Sequence, residues 1–169
     1  IKYYNSRILK EFPNYKLENY KLISNKDNKD IKKIIKLKNQ QYERTYSQKK
    51  IDSLLWNRFS SHSTSNTYLY ISTIKIDEKI ASGVISMVSN NIIYYILPAY
   101  DIKYKKYSIG IHHLNKIINF AQKNGYLGID LTIGDEPYKL KFHTDKYPLY
   151  SSFYTNNIYL KPLTIFLIL

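Results

Sequence analysis

Cysteine is absent from this chain of 169 residues. A disulfide framework and a thiolate site for zinc or an iron–sulfur cluster are therefore excluded. No run of about 18 apolar residues occurs, so no membrane-spanning helix is expected. The apolar end, Ile165-Phe166-Leu167-Ile168-Leu169, is too short to cross a bilayer. No secretory signal pattern opens the chain either, and the reading places it in the cytoplasm. Arginine is scarce, at Arg7, Arg44 and Arg58, and alanine occupies only Ala81, Ala99 and Ala121. Acidic residues are few: 13 Asp+Glu stand against 26 Lys+Arg.

The resulting net charge of +13 and pI near 9.6 would ordinarily point to nucleic acid or an anionic surface. The excess, however, is lysine, and guanidinium groups suited to bidentate phosphate recognition are not enriched. Ile, Lys, Asn and Tyr together are what an AT-rich genome supplies. The charge reads first as a solvated surface, and the 19 tyrosines as strand residues with one wet edge. An apolar fraction of 44% excludes wholesale disorder, and the length suits one domain with a real core. The chain starts with Ile1 rather than Met. Residues 1–16 read as the end of a helix or linker from a missing N-terminal part, and 17–169 as one domain.

The hydrophobic period changes along the chain. Ile1 to Pro13 reads as the tail of a helix, and Tyr15 to Ser24 as a strand. Asn25-Lys26-Asp27-Asn28 makes a turn, with Asp27 or Asn28 capping the next helix. Ile31, Ile34, Ile35 and Tyr42 form one helical stripe, and Ile51, Leu54, Leu55 and Phe59 a second. Strands follow over Tyr68–Ile76, Lys79–Val88 and Ile92–Leu97, separated by turns at Asp77-Glu78 and Ser89-Asn90-Asn91, with Pro98 ending the third. A loop, Ala99 to Lys106, precedes a helix with Ile111, Leu114, Ile117, Ile118 and Ala121 buried; Asn124-Gly125 stops it. A strand Ile129–Ile133 closes the series. This order predicts an α+β (α/β) fold: a mixed sheet with an antiparallel meander, then strand–helix–strand, with helices on both faces.

Two places carry chemistry. Tyr104-Lys105-Lys106-Tyr107-Ser108-Ile109-Gly110-Ile111 opens the third helix. A helix start offers unpaired N–H groups and a positive dipole end, a glycine admits an anion, and two lysines add charge. The alternative is an ordinary serine N-cap. The second place is Gly134-Asp135-Glu136-Pro137-Tyr138-Lys139, just beyond Asp130 in its apolar strand. Two carboxylates, a phenol and an amine gather at a strand end, which suits acid/base work. The alternative is a structural ion pair of Asp130 with Lys139 or Lys141. His112 and His113, being adjacent, do not share a helix face and make a poor metal site. His112 is expected in solvent and His113 on the flank; His62 and His143 stand alone, and Trp56 and Phe59 read as core.

Tyr107-Ser108-x-Gly110, the helix ending near Gly125-Tyr126, and Asp130-x-x-x-Gly134-Asp135-Glu136-Pro137-Tyr138-Lys139 resemble the acetyltransferase domain of the CelD/BcsL type. That family lies in the GNAT superfamily, near the Fem peptidyltransferases. The Asn5-Ser6-Arg7 helix and the Leu37 to Arg44 helix fit it more loosely. The likeness runs most strongly from about Thr67 to Phe142, and Ile109 stands where the family usually has proline. The resemblance implies a GNAT fold and acetyl-CoA or another acyl-CoA as co-substrate, with no metal. Lys105, Lys106, Tyr107, Ser108, Ile109, Gly110 and Ile111 would hold the cofactor. The thioester would lie along Tyr94 to Leu97, where that strand parts from Ile129–Ile133. Asp130 or Glu136 would be the base, Tyr138 the acid, and Asp135 and Lys139 would bind substrate. The acceptor would be a small molecule or glycan: a sugar, a cell-envelope precursor or an amine. Rival readings are an aminoacyl-tRNA-dependent Fem-like transferase, a catalytically silent module of the same fold, and a basic nucleic-acid-binding domain.

Overall fold

The computed structural model describes residues 2–22, 29–45, 64–134, 136–142 and 144–148. Within them the elements are α1 (Lys2–Glu11), β1 (Lys16–Lys21), α2 (Lys29–Thr45), β2 (Thr67–Ile76), β3 (Lys79–Ser89) and β4 (Ile92–Tyr100). A 3-10 helix (Ile102–Tyr107), α3 (Ile109–Lys123), β5 (Gly128–Asp130) and α4 (Pro137–Leu140) complete them. The expected caps Asp27 and Asn28, the helix from Ile51 through Phe59 with Trp56, and His62 and His143 lie outside the described residues.

One sheet carries the strands in the order β1-β2-β3-β4-β5. The first four are antiparallel, and β5 joins β4 in parallel through the α3 crossover. The meander follows from its turns. Asp77-Glu78 and Asn90-Asn91 all take positive φ, between 49° and 63°, so each pair makes the two-residue hairpin whose twist matches the strands. Helices cover both faces, as the period of the sequence predicts. On one, α2 buries Ile31, Ile34, Ile35 and Leu37 against Leu69, Ile71, Ile85, Leu97 and Ala99. Gly83 lets α2 come close, since a Cβ there would run into Ile34. On the other face, α3 sets Leu114 and Ile117 on Val84 and Tyr95. α1 packs into a separate cluster, where Ile8 is fully buried with Ile74, Ile76, Ala81, Tyr104 and Ile109.

Four expectations need correction. Pro98 does not end the third strand, which runs on to Tyr100. Among the described residues the strand has no partner on its β5 side beyond Tyr94, so a missing N–H is tolerated there. The loop after it is wound into a 3-10 helix, begun by Asp101 accepting from the N–H of Lys103 at 3.1 Å. The last strand is only Gly128–Asp130, because Leu131 to Ile133 turn away from β4. His112 and His113 are both fully buried, since α3 is covered on two sides rather than one. His113 bonds Ser72 Oγ (2.7 Å) and Ser82 Oγ (2.9 Å) in the sheet. His112 reaches Tyr15 Oη (2.9 Å) beside α1.

Burial, with the charge of the neighbouring His112 adding, pushes His113 down to about 3; burial and then Lys116 lower His112 to about 4. An unfolded histidine titrates near 6.5. Below that pH the unfolded chain takes up protons that the folded chain refuses. Stability from this source is therefore complete above about 6.5 and falls as pH drops toward the folded values, by up to about 1.4 kcal/mol per pH unit for each histidine. Urea melts at pH 7 and pH 5 should show the loss, and His113→Gln should reduce the difference. An unchanged slope in that variant would remove His113 as its source.

Candidate active site

A bulge in β4 shapes the site. Leu97 pairs with Ile85 and Tyr95 with Ser86, so Ile96 is the extra residue. An extra residue flips the alternation of a strand. Ile93 and Tyr95 accordingly face α3, whereas Leu97 and Ala99 face α2. Pairing with β5 ends at Tyr94↔Asp130. From Tyr95 onward the two parallel strands part, and Thr132 bridges the gap by donating its hydroxyl to the Tyr95 carbonyl at 3.3 Å.

A cleft of about 870 Å³ opens along this free stretch of β4. One wall is Lys38, Gln41 and Tyr42 of α2, and β4 contributes Tyr95, Pro98 and Tyr100. Ile102 and Lys105 of the 3-10 helix and Ser108, Ile109, Gly110 and Ile111 form one end, while Glu136 and Tyr138 also line it. Gln41 ties the walls together, donating to the Tyr100 carbonyl at 2.9 Å. The two places marked in the sequence, 28 residues apart from Ser108 to Glu136, thus meet in one cavity.

The start of α3 is left open beside the cleft. Ser108 sits in the left-handed region (φ 54°, ψ 39°), and its side chain makes no capping bond. The ordinary serine cap is therefore not what this residue supplies. The first bond of the helix runs from His112 N–H to the Ser108 carbonyl, 3.1 Å. That leaves the N–H groups of Ile109, Gly110 and Ile111 ahead of the ladder at the positive end of the dipole. Gly110 lies under the Tyr100 ring, which a Cβ would approach to 3.3 Å. Lys106 and Tyr107 do not line the cleft. Tyr107 donates to Glu11 (3.1 Å) and packs edge-on against Phe12, with Lys106 over its ring. The Leu97 side chain packs in the core beneath α2.

The loop after β5 is tied by Lys139. Its ammonium, on a residue only 7% exposed, donates to the carbonyls of Thr132 (3.0 Å), Ile133 (3.1 Å) and Gly134 (2.9 Å) and pairs with Glu136 at 2.8 Å. Gly134 has φ +116°, and the Glu136 carboxylate fills the space a side chain would take. Burial raises the Glu136 carboxyl, but the Lys139 hydrogen bond, a backbone N–H and the charges of Lys139 and Lys38 outweigh it and hold the group below the usual value. Burial lowers Lys38, and the Glu136 charge acts the other way. Burial and then the Glu136 charge push the Tyr138 phenol up to about 12. Asp135 lies outside the described residues.

Among the described residues no ion pair of Asp130 is found, and the Lys139 ammonium is turned into the loop carbonyls instead. The Asp130 carboxylate accepts from the Thr132 N–H at 2.6 Å and from the Tyr147 hydroxyl. This fixes Thr132 at φ +60°, a rare conformation for a β-branched residue, just where the strands part. Asp130 itself does not line the cleft. Asp130→Ala should therefore cost about 1.5–3 kcal/mol, the worth of a charge-assisted bond, and loosen the loop. A fully stable variant without turnover would instead make Asp130 the base.

The sequence marks Tyr95 only within the Tyr94–Leu97 stretch along which the resemblance lays the thioester, and it does not mark Lys38, Gln41, Tyr42, Pro98, Tyr100 or Ile102 as site residues. The bulge that turns β4 and the approach of α2 leave no local motif. Among the described residues no three His, Asp or Glu gather as a metal site, and no helix is long and apolar enough to cross a membrane.

Comparison with solved structures agrees with the architecture. An aminoglycoside acetyltransferase from an uncultured soil metagenomic sample, solved with sisomicin, is 18% identical over 88% of this chain and 99% of that one, with a TM-score of 0.57. A possible acetyltransferase from Clostridium difficile 630 is 13% identical over 84% and 99%, with a TM-score of 0.61. At such identities the likeness is one of fold. No curated protein matches the sequence. The sequence model of the acetyltransferase (GNAT) domain does match, over residues 10–140, across the sheet, the α3 start and the Glu136–Lys139 loop. With fold and sequence model in agreement, the chain belongs to the GNAT acetyltransferase family and is an acyltransferase.

Proposed function

We propose that this chain moves an acetyl or acyl group from acyl-CoA to an amine or hydroxyl acceptor bound in the cleft beside β4. The observation that carries this reading is the open start of α3 in the same cavity as Glu136 and Tyr138, where β4 and β5 part. The residues present suit the donor. The N–H groups of Ile109, Gly110 and Ile111, with Lys105 beside them, receive the pyrophosphate. The unpaired edge of β4 offers backbone groups to the pantetheine arm. When bound, the donor supplies the activated thioester.

Glu136 takes the acceptor's proton. Its lowered pKa makes it a weak base, suited to a proton made acidic as the new bond to the acyl carbon forms. Tyr138, protonated at neutral pH, gives its proton to the departing sulfur. Lys139 holds both residues on one fixed turn. The resemblance to the CelD/BcsL type favours acceptors of polysaccharide or cell-envelope metabolism, and an acyl-CoA donor places the reaction in the cytoplasm.

Free-thiol release from acetyl-CoA and longer acyl-CoAs, measured against a panel of amino sugars, amines and polyols, tests the proposal. Acceptor-dependent release is expected. Absence of release with every donor, together with no thermal shift on adding any of them, would contradict it.

A further inference from the structure

Tyr95 is the first residue of β4 beyond the point where the strands part. It is only 3% exposed, packs among Val84, Leu114 and Ile117, and yet lines the cleft. Its hydroxyl has no hydrogen-bond partner among the described residues. The Tyr70 hydroxyl, also without a partner, is shut inside the core, whereas Tyr95 lines the cleft and its hydroxyl is not among the buried unpaired groups. Phenylalanine would fill the same space in this apolar cluster; what tyrosine adds is a hydroxyl donor beside the cleft. The position of the hydroxyl, at the vertex of the split and beside Tyr138, therefore asks for a ligand atom that accepts a hydrogen bond.

We propose that Tyr95 is a further catalytic residue, its hydroxyl donating a hydrogen bond to the carbonyl oxygen of the bound thioester. This rests on the acyl-CoA reading above. The acceptor's lone pair forms the new bond to the acyl carbon, and the carbonyl π pair moves onto oxygen, where Tyr95 meets the developing charge. When that pair returns, the C–S bond breaks, and sulfur leaves with its electrons and takes the Tyr138 proton. The O–H bond of Tyr95 stays intact throughout. The two phenols are suited to different tasks. Burial, with Tyr138 adding, pushes Tyr95 far above the usual tyrosine value, so it keeps its proton and serves as a fixed dipole. Tyr138 is only half-buried and can exchange its proton with water.

The infrared carbonyl band of isotope-labelled acetyl-CoA, bound to wild type, Tyr95→Phe and Tyr138→Phe, tests this without an acceptor. A band shifted to lower frequency in wild type and in Tyr138→Phe, and returned toward the aqueous position in Tyr95→Phe, is expected. With an acceptor, Tyr95→Phe should lower kcat about 10²–10³-fold, as loss of one oxyanion donor does, with acetyl-CoA affinity unchanged. A circular-dichroism melt confirms that the variant folds. A shifted band that Tyr95→Phe leaves in place, or no shift in wild type despite calorimetric binding, overturns the role of Tyr95 alone. Failure of acetyl-CoA to bind wild type overturns the acyl-CoA reading and this role together.

Discussion

Tyr138→Phe should lower turnover by about 10²–10⁴-fold, the range for loss of a general acid, and barely change stability or acetyl-CoA affinity. The substitution deletes one oxygen and keeps the ring, which packs against the cluster of Val84, Tyr95, Leu114, Ile117 and Leu131. The phenol sits at the start of α4, on the residue just before the Lys139 clamp, so its place does not depend on the hydroxyl. Burial and then the Glu136 charge hold it near 12. It is therefore protonated across the neutral range, and the alkaline side of the pH–rate profile should show no fall from this group until pH approaches that value. Single-turnover loss of the thioester absorbance, measured with any competent acceptor, reads the effect. Near-normal turnover in a folded variant would assign Tyr138 to packing and leave the acid unidentified.

Gly110→Glu should abolish binding of acetyl-CoA, a loss of at least about two orders of magnitude in affinity, or about 3 kcal/mol. A side chain at this position passes the Tyr100 ring and enters the cleft. Its carboxylate would take up the N–H groups and dipole proposed to receive the pyrophosphate, and it would repel the phosphates. The helix itself should not suffer, because glutamate forms helix better than glycine and favours the first turn. Gly110→Ala separates charge from bulk: the Tyr100 ring needs to give only a few tenths of an ångström, so affinity should stay close to wild type. Unchanged affinity in folded Gly110→Glu would place the phosphates elsewhere.

Much of the fold is legible in the sequence because it rests on local periods. Ile31, Ile34 and Ile35 mark the buried stripe of α2, and paired turn residues at Asp77-Glu78 and Asn90-Asn91 mark the meander. What is not legible depends on distant partners. A single stripe on α3 announces one buried face, so the burial of His112 against Tyr15 follows only once α1 is in place. Pro98 looks like a strand end until β4 is seen to have a free edge there. The site divides the same way. Ser108-Ile109-Gly110 before an apolar helix and the carboxylate-bearing loop each announce themselves. Their meeting in one cleft depends on the parting of β4 from β5 and on Ile96, whose bulge no residue type signals. Lysine normally reads as solvent-facing, so the use of Lys139 as a buried clamp, in place of an ion pair to Asp130, is visible only in three dimensions.

The most direct measurement is a calorimetric titration of acetyl-CoA, and of free CoA, into the purified chain. Saturable one-to-one binding of both, weakened by rising phosphate and lost in Gly110→Glu, is the result expected if the cleft beside β4 takes an acyl-CoA donor. No binding of either ligand to a folded wild-type protein would contradict it.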